Sequence, residues 1–188
     1  LRVLVERRKS DISTNADDKS ALVIMVTSTE PNEGKSTTAL ALARTLARSG
    51  RKTLIIDCDL RKPSLSKLTG VTATPWLSEV LRGQELPPSV SKHAMIDPMS
   101  DLSMIFGSRV SDIATDALYL ARFTDMIVFV LKWASTPQSM ARKALLALKE
   151  QGGPQTEHVL VLNQKEKPSG GRYSAYAPYY GGSNQDGT

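Results

Sequence analysis

The chain has 188 residues, 40% of them hydrophobic, enough for one domain with a sizeable core, and no run approaches the ~18 apolar residues that cross a membrane. Its net charge of +5 is scattered among acids over most of the length, which excludes the concentrated basic stripe of a nucleic-acid binder. A single cysteine, Cys58, excludes an internal disulfide and suits a reducing compartment.

The chain starts at Leu1 without a signal peptide and reads as a piece of something longer. Leu1, Leu4 and Val5 stand at helical spacing among arginines, so residues 1–9 are expected to be the end of an amphipathic helix. The cluster Arg7-Arg8-Lys9 suits a solvated helix face, or else anionic lipid or a partner. Ser10 to Ser20 is a polar linker into the first strand.

Val23-Ile24-Met25-Val26 is a short apolar run that breaks into the polar loop Thr27 to Gly34 and then opens a helix rich in Ala and Leu. Gly34-Lys35-Ser36-Thr37 fits the second half of a P-loop, with Thr29 standing where the pattern has its first glycine. In such a loop the backbone N–H groups cradle phosphate oxygens, the lysine reaches the β- and γ-phosphates, and the hydroxyl sits on Mg²⁺. The candidate cradle is Asn32, Glu33, Gly34, Lys35, Ser36 and Thr37. Ser36 to Arg48 forms the helix, with Leu40, Ala43, Leu46 and Ala47 on one face, and Gly50 supplies a left-handed cap.

Thr53-Leu54-Ile55-Ile56 is a second buried strand that delivers Asp57 and Asp59 at its carboxyl end, the edge where an open parallel sheet binds ligands. Two carboxylates beside a phosphate loop can hold Mg²⁺ or accept a proton from an attacking hydroxyl; alternatively they cap the next turn. Pro63 to Pro75 is expected to be irregular, Trp76 to Leu81 a short helix stopped by Gly83, and Gln84 to Ser100 a long polar excursion. Leu102 to Phe106 is a strand closed by Gly107, Asp112 to Phe123 a helix, Met126 to Leu131 a fully buried strand, Gln138 to Gln151 a helix, and His158 to Leu162 the last strand, ending at Asn163. His93 and His158 stand alone and are taken as structural.

Strands alternating with helices, and strands apolar on both faces, imply an α/β fold: a P-loop NTPase with a doubly wound, mostly parallel sheet flanked by helices over residues 1–163. Residues 164–188 turn to Gly, Ser, Lys, Pro and Tyr and are expected to be a flexible tail. Four of the five tyrosines lie there, at Tyr173, Tyr176, Tyr179 and Tyr180. They are candidate phosphoacceptors, or else part of a low-complexity sticky tail.

Together these residues resemble the bacterial tyrosine kinases, the cytoplasmic part of polysaccharide co-polymerases. The likeness rests on Val26-Thr27-Ser28, Pro31 and Glu33 to Thr38; on Ile55-Ile56-Asp57-Cys58-Asp59-Leu60-Arg61-Lys62-Pro63; on Leu77 to Gly83; on Asp116-Ala117-Leu118; on Val161-Leu162-Asn163; and on the tyrosine cluster. It implies an ATP- and Mg²⁺-dependent protein-tyrosine autokinase that regulates exopolysaccharide chain length. Lys35, Asp57 and Asp59 would be catalytic, Ser36, Asp57 and Asp59 would serve the metal, and Asn163 would approach the adenine. Expected partners are further copies, in a ring joined through the N-terminal helix and the tail, a transmembrane activator domain, and the polysaccharide export machinery. The expected place is the cytoplasmic side of an inner membrane. The P-loop would equally suit a ParA/MinD-like regulatory ATPase, and an inactive scaffold of the export machinery is a third reading.

One departure stands out. The resemblance implies a further strand ending in a metal-binding aspartate, where this chain has only Ser108 to Thr115. Neither Phe106-Gly107 nor Lys132-Trp133 supplies that acid. A true loss would leave a hole in the sheet, so the expectation is that the sequence skips residues at this junction, with a break in Cα spacing between Gly107 and Asp112.

Overall fold

A computed structural model describes residues 1–6, 21–60, 62–72, 76–81, 93–107 and 117–164. Helix α1 covers residues 2–6. It is followed by β1 (Ile24–Ser28), α2 (Lys35–Arg48), β2 (Leu54–Asp57), α3 (Leu65–Thr69), α4 (Trp76–Leu81), β3 (Met95–Ile96), β4 (Ser103–Phe106), α5 (Ala117–Ala121), β5 (Met126–Lys132), α6 (Gln138–Gln151) and β6 (Glu157–Asn163).

The fold is α/β, with all strand pairs parallel except the two-residue β3 against β4. β5 is the hub. Met126 to Val130 are at most 1% exposed because β1 and β6 pair with both its edges while α1 and α2 cover one face and α5 and α6 the other. Each fully buried side chain of this kind contributes about 1.5–3 kcal/mol. The pairing sets Ser28 beside Val130 and Lys132 beside Asn163, so three carboxyl ends finish at one rim.

The sheet is divided. Among the described residues, β1-β5-β6 forms one three-stranded sheet and β2-β4-β3 another, with no ladder between them. Helix α2 spans both. Its Leu40, Ala43 and Ala47 pack with Ile55 and Met104, and its Leu42 and Leu46 pack with Ile24, Val26 and Val128. Among the described residues, β1 and β2 each have a strand neighbour on one side only. Leu54 and Ile56 are 45% exposed, although their strand reads as buried on both faces.

Three local differences from the sequence expectation have physical causes. Residues 65–69 are helical, not irregular, because Asp57 Oδ2 accepts the N–H groups of Ser64 (3.0 Å) and Leu65 (3.1 Å) and so caps α3 from the end of β2. Within the expected excursion Gln84 to Ser100, β3 pairs with β4, and Asp97 then ties the turn to α2 by a two-pronged bond from Arg44 (3.0 and 2.7 Å). In α1 only Val5 is buried, at 4% exposure, while Leu1 and Leu4 stay more than a third exposed.

The expected cap at Gly50 is present, at φ 80°, and α6 has the bounds expected of it. His93 stacks on Trp76 at 4.5 Å between ring centroids. Arg7-Arg8-Lys9, the linker to Ser20, Arg61, Gly83, the junction from Ser108 to Asp116 with its expected chain break, and the tyrosine-rich tail lie outside the described residues.

Candidate nucleotide site

Three elements meet at the carboxyl rim. The loop after β1 delivers Gly34 in the left-handed conformation, at φ 94°, as the residue that starts α2. A side chain there is excluded twice over: by the backbone, and by Asn163, whose Nδ2 would lie 2.1 Å from an added Cβ. Among the described residues no side chain caps this helix, and no acidic residue occupies its first turn. Its leading amides and the positive end of its dipole are therefore open to an anion. Lys35 and Ser36, at the start of the helix, add a charge and a hydroxyl.

β2 brings the carboxylates. Asp57 is 6% exposed and closes the strand opposite Phe106. Its Oδ1 accepts the Asp59 N–H (3.1 Å), and its Oδ2 accepts Ser64 and Leu65. Asp59 is more open: Oδ1 accepts the Lys62 N–H (3.0 Å) and Oδ2 pairs with Lys35 Nζ (3.0 Å). The turn is close because Gly107 has no side chain; an added Cβ would lie 2.0 Å from Leu60 Cδ2. Between the aspartates, burial and then the Asp57 charge push the Cys58 thiol pKa up.

The structure thus brings Lys35, Ser36, Asp57 and Asp59 together, and it realises the capping role for both aspartates alongside the lysine contact. Asn163 arrives from β6, where its amide donates to the Glu33 carbonyl (2.9 Å). Thr37 and Asn32 are exposed at the rim. Glu33 departs from a cradle residue in its side chain, which is 2% exposed and faces the protein interior. The Thr29 hydroxyl, at the position of the motif's first glycine, is buried with no hydrogen-bond partner among the described residues.

Two contributors are missing from the sequence reading. Ser64 Oγ donates to Ser36 Oγ at 2.6 Å, and Thr136 Oγ1 donates to the Glu33 carboxylate. Ser64 carried a usable signal, a polar residue after Pro63 and just before an apolar helical turn. Thr136 carried none, being 103 residues from Glu33.

The site has the chemistry of a phosphate cradle: free helix amides, one lysine and a hydroxyl. No group of three or more His, Cys, Asp or Glu able to hold a metal by itself occurs among the described residues.

Comparison with known proteins agrees with this geometry. Residues 24–132 match the CobQ/CobB/MinD/ParA nucleotide binding domain. The succinoglycan biosynthesis transport protein ExoP of Rhizobium meliloti is 31% identical over 156 residues, 65% of this chain and 20% of that protein. The tyrosine-protein kinase YwqD of Bacillus subtilis is 29% identical over 170 residues, 74% of this chain and 72% of that one. The chain therefore spans most of one relative but only a fifth of the other. The kinase domain of Escherichia coli tyrosine kinase ETK has the same fold, with a TM-score of 0.64 at 18% identity, covering 88% of this chain and 77% of that one.

Proposed function

The chain belongs to the CobQ/CobB/MinD/ParA nucleotide-binding family, and from that premise we propose that it is a bacterial-type protein-tyrosine kinase domain that transfers the γ-phosphoryl group of ATP to tyrosines of its own tail and those of neighbouring copies. The observation that carries phosphoryl transfer is the 3.0 Å contact between Lys35 and Asp59 at the open start of α2. It sets a carboxylate beside the lysine that receives phosphate. A protein hydroxyl as acceptor is supported by the relative named a tyrosine-protein kinase and by Tyr173, Tyr176, Tyr179 and Tyr180.

In this reading the amides of residues 32–37 and the Lys35 ammonium hold the β- and γ-phosphates. Ser36, with Asp57 or Asp59, holds Mg²⁺, which when bound neutralises charge on the phosphate oxygens. A tyrosyl oxygen forms the new bond to the γ-phosphorus as the bond to the β–γ bridging oxygen breaks, ADP leaves, and the phenol proton passes to Asp59 or Asp57. Asn163 serves the base side of the nucleotide. The biological setting is control of exopolysaccharide chain length at an inner membrane, with a ring of copies joined through α1 and the tail, a transmembrane activator domain and the export machinery as partners. The relative named for succinoglycan transport supports that setting. No helix among the described residues is long and apolar enough to cross a membrane.

A second reading, a ParA/MinD-like ATPase switch or an inactive scaffold, is favoured by one observation: of the described parallel strands, only β2 ends in an acid. Incubation with Mg-ATP separates the three. Phosphotyrosine that falls sharply when the four tail tyrosines are changed to Phe, with ADP binding kept, supports the kinase. Phosphate release without phosphotyrosine selects the switch, and neither product selects the scaffold.

A further inference from the structure

We infer that Glu33 and Thr136 are a positioning pair: the buried carboxylate and the threonine hydroxyl anchor the phosphate loop to the β5–α6 turn and hold the loop amides in the arc that receives phosphate. The inference rests on the nucleotide-binding reading above and adds residues to that site. Glu33 is 2% exposed and its carboxylate bonds turn inward from the rim. Its Oε2 accepts the Glu30 N–H (2.7 Å), which closes the loop on itself. Its Oε1 accepts the Thr136 hydroxyl and, at 3.4 Å, the Lys132 N–H. Thr136 Oγ1 in turn accepts the Lys132 N–H at 3.2 Å, so hydroxyl, carboxylate and strand end form one network.

On its other side the loop is held by Asn163, whose amide donates to the Glu33 carbonyl, and by Gln164, which donates to the Asn32 carbonyl at 3.3 Å. Three non-glycine residues with positive φ, Asn32 (64°), Ala134 (54°) and Gln164 (55°), lie in the three segments so joined. Such backbone is held only where its surroundings over-determine it.

Electrostatics argues for holding rather than binding. A carboxylate facing the phosphates would repel them, and one buried without partners would cost several kcal/mol. Glu33 avoids both by turning inward onto three donors. The loop's own sequence cannot impose this shape, since the anchoring partners lie 99 to 132 residues away.

The test uses the whole chain with ADP as probe, comparing wild type, Thr136→Val, Thr136→Ser and Glu33→Gln by calorimetry and thermal unfolding. Thr136→Val is nearly isosteric and removes only the hydroxyl. Glu33→Gln turns an amide N–H toward donors. Loss of a hydrogen bond to a charged group predicts ADP binding weaker by roughly tenfold in both. Thr136→Ser should stay within about threefold of wild type, because it keeps the hydroxyl. The ADP-free unfolding midpoint of Thr136→Val should fall by only a few degrees. Unchanged ADP affinity in Thr136→Val, or a loss that Thr136→Ser shares, overturns the positioning pair. Failure of the wild type to bind ADP overturns the nucleotide reading itself, and the pair with it.

Discussion

Lys35 Nζ lies 3.0 Å from Asp59 Oδ2, so the loop lysine is paired with a carboxylate delivered at the end of β2. Both side chains are about a third exposed, at 31% and 30%, and such a pair is worth only ~0–1 kcal/mol. Phosphate can displace it at little cost. Lys35→Ala should weaken ADP binding by roughly tenfold to a hundredfold, the loss of one charge-assisted hydrogen bond of ~1.5–3 kcal/mol, with the unfolding midpoint nearly unchanged. Calorimetric titration checks this; wild-type affinity in the variant would remove the loop from the phosphate site.

Asp57 and Asp59 should separate on stability. Asp57 accepts three backbone N–H groups and caps α3, whereas Asp59 accepts one and faces Lys35. An Asn at 57 must turn its NH₂ toward either the Asp59 amide or the Ser64 and Leu65 amides. Asp57→Asn should therefore cost about 1–3 kcal/mol of folding free energy as well as slowing phosphoryl transfer. Asp59→Asn should slow transfer with under ~1 kcal/mol lost. Urea unfolding beside a phosphotyrosine assay tests the split, and equal stability of the two variants would refute the capping role.

Much of the site was legible because its signals are local. Gly34-Lys35-Ser36 after Val23-Ile24-Met25-Val26 announces a strand, a loop and an anion-binding helix start within fifteen residues. Leu54-Ile55-Ile56 likewise delivers Asp57 to the rim. What escaped is non-local. Glu33 turns away from the cradle because Thr136 and Lys132, 103 and 99 residues further on, fold up behind it. The apolar run at β2 implied burial on both faces, but burial is a property of neighbours, and Leu54 and Ile56 lack a cover among the described residues. No pattern within a strand says which strand will lie beside it.

The divided sheet should be visible in hydrogen exchange. β5 is paired on both edges and buried from Met126 to Leu131, so its amides should exchange only through global opening. Among the described residues β1 and β2 are each paired on one side, and an unpaired strand edge leaves alternate N–H groups without a ladder partner. Their protection should fall at least roughly tenfold, about 1.4 kcal/mol, below that of β5. Mass-spectrometric exchange on peptides covering 24–28, 54–57 and 126–132 makes the comparison. Equal protection of all three would mean that a strand fills the space between the two sheets.

Asp97 makes a pH-dependent contribution to folding stability. Its side chain is fully buried, gripped by Arg44 through two bonds and by the Ser100 hydroxyl at 2.7 Å. The Arg44 bond holds its pKa below the usual carboxylate range, with Ser100 and the Arg44 charge assisting and burial opposing. The guanidinium pKa is raised in return, mainly by its bond to Asp97, so Arg44 stays charged throughout. Because the folded pKa lies below the unfolded value of about 3.9, the stability from this group is complete above pH ~4 and is lost as pH falls through the folded pKa. Removing one partner of a buried pair costs roughly 3 kcal/mol, somewhat less here because Arg44 is 20% exposed. The difference in unfolding free energy between wild type and Asp97→Asn should therefore be flat from pH 8 to 5 and shrink below about pH 4. Other carboxylates cancel in that difference. Arg44→Lys should not restore it, since an ammonium cannot make the two-pronged bond. A difference that persists undiminished to pH 2.5 would show that Asp97 acts by shape and not by charge.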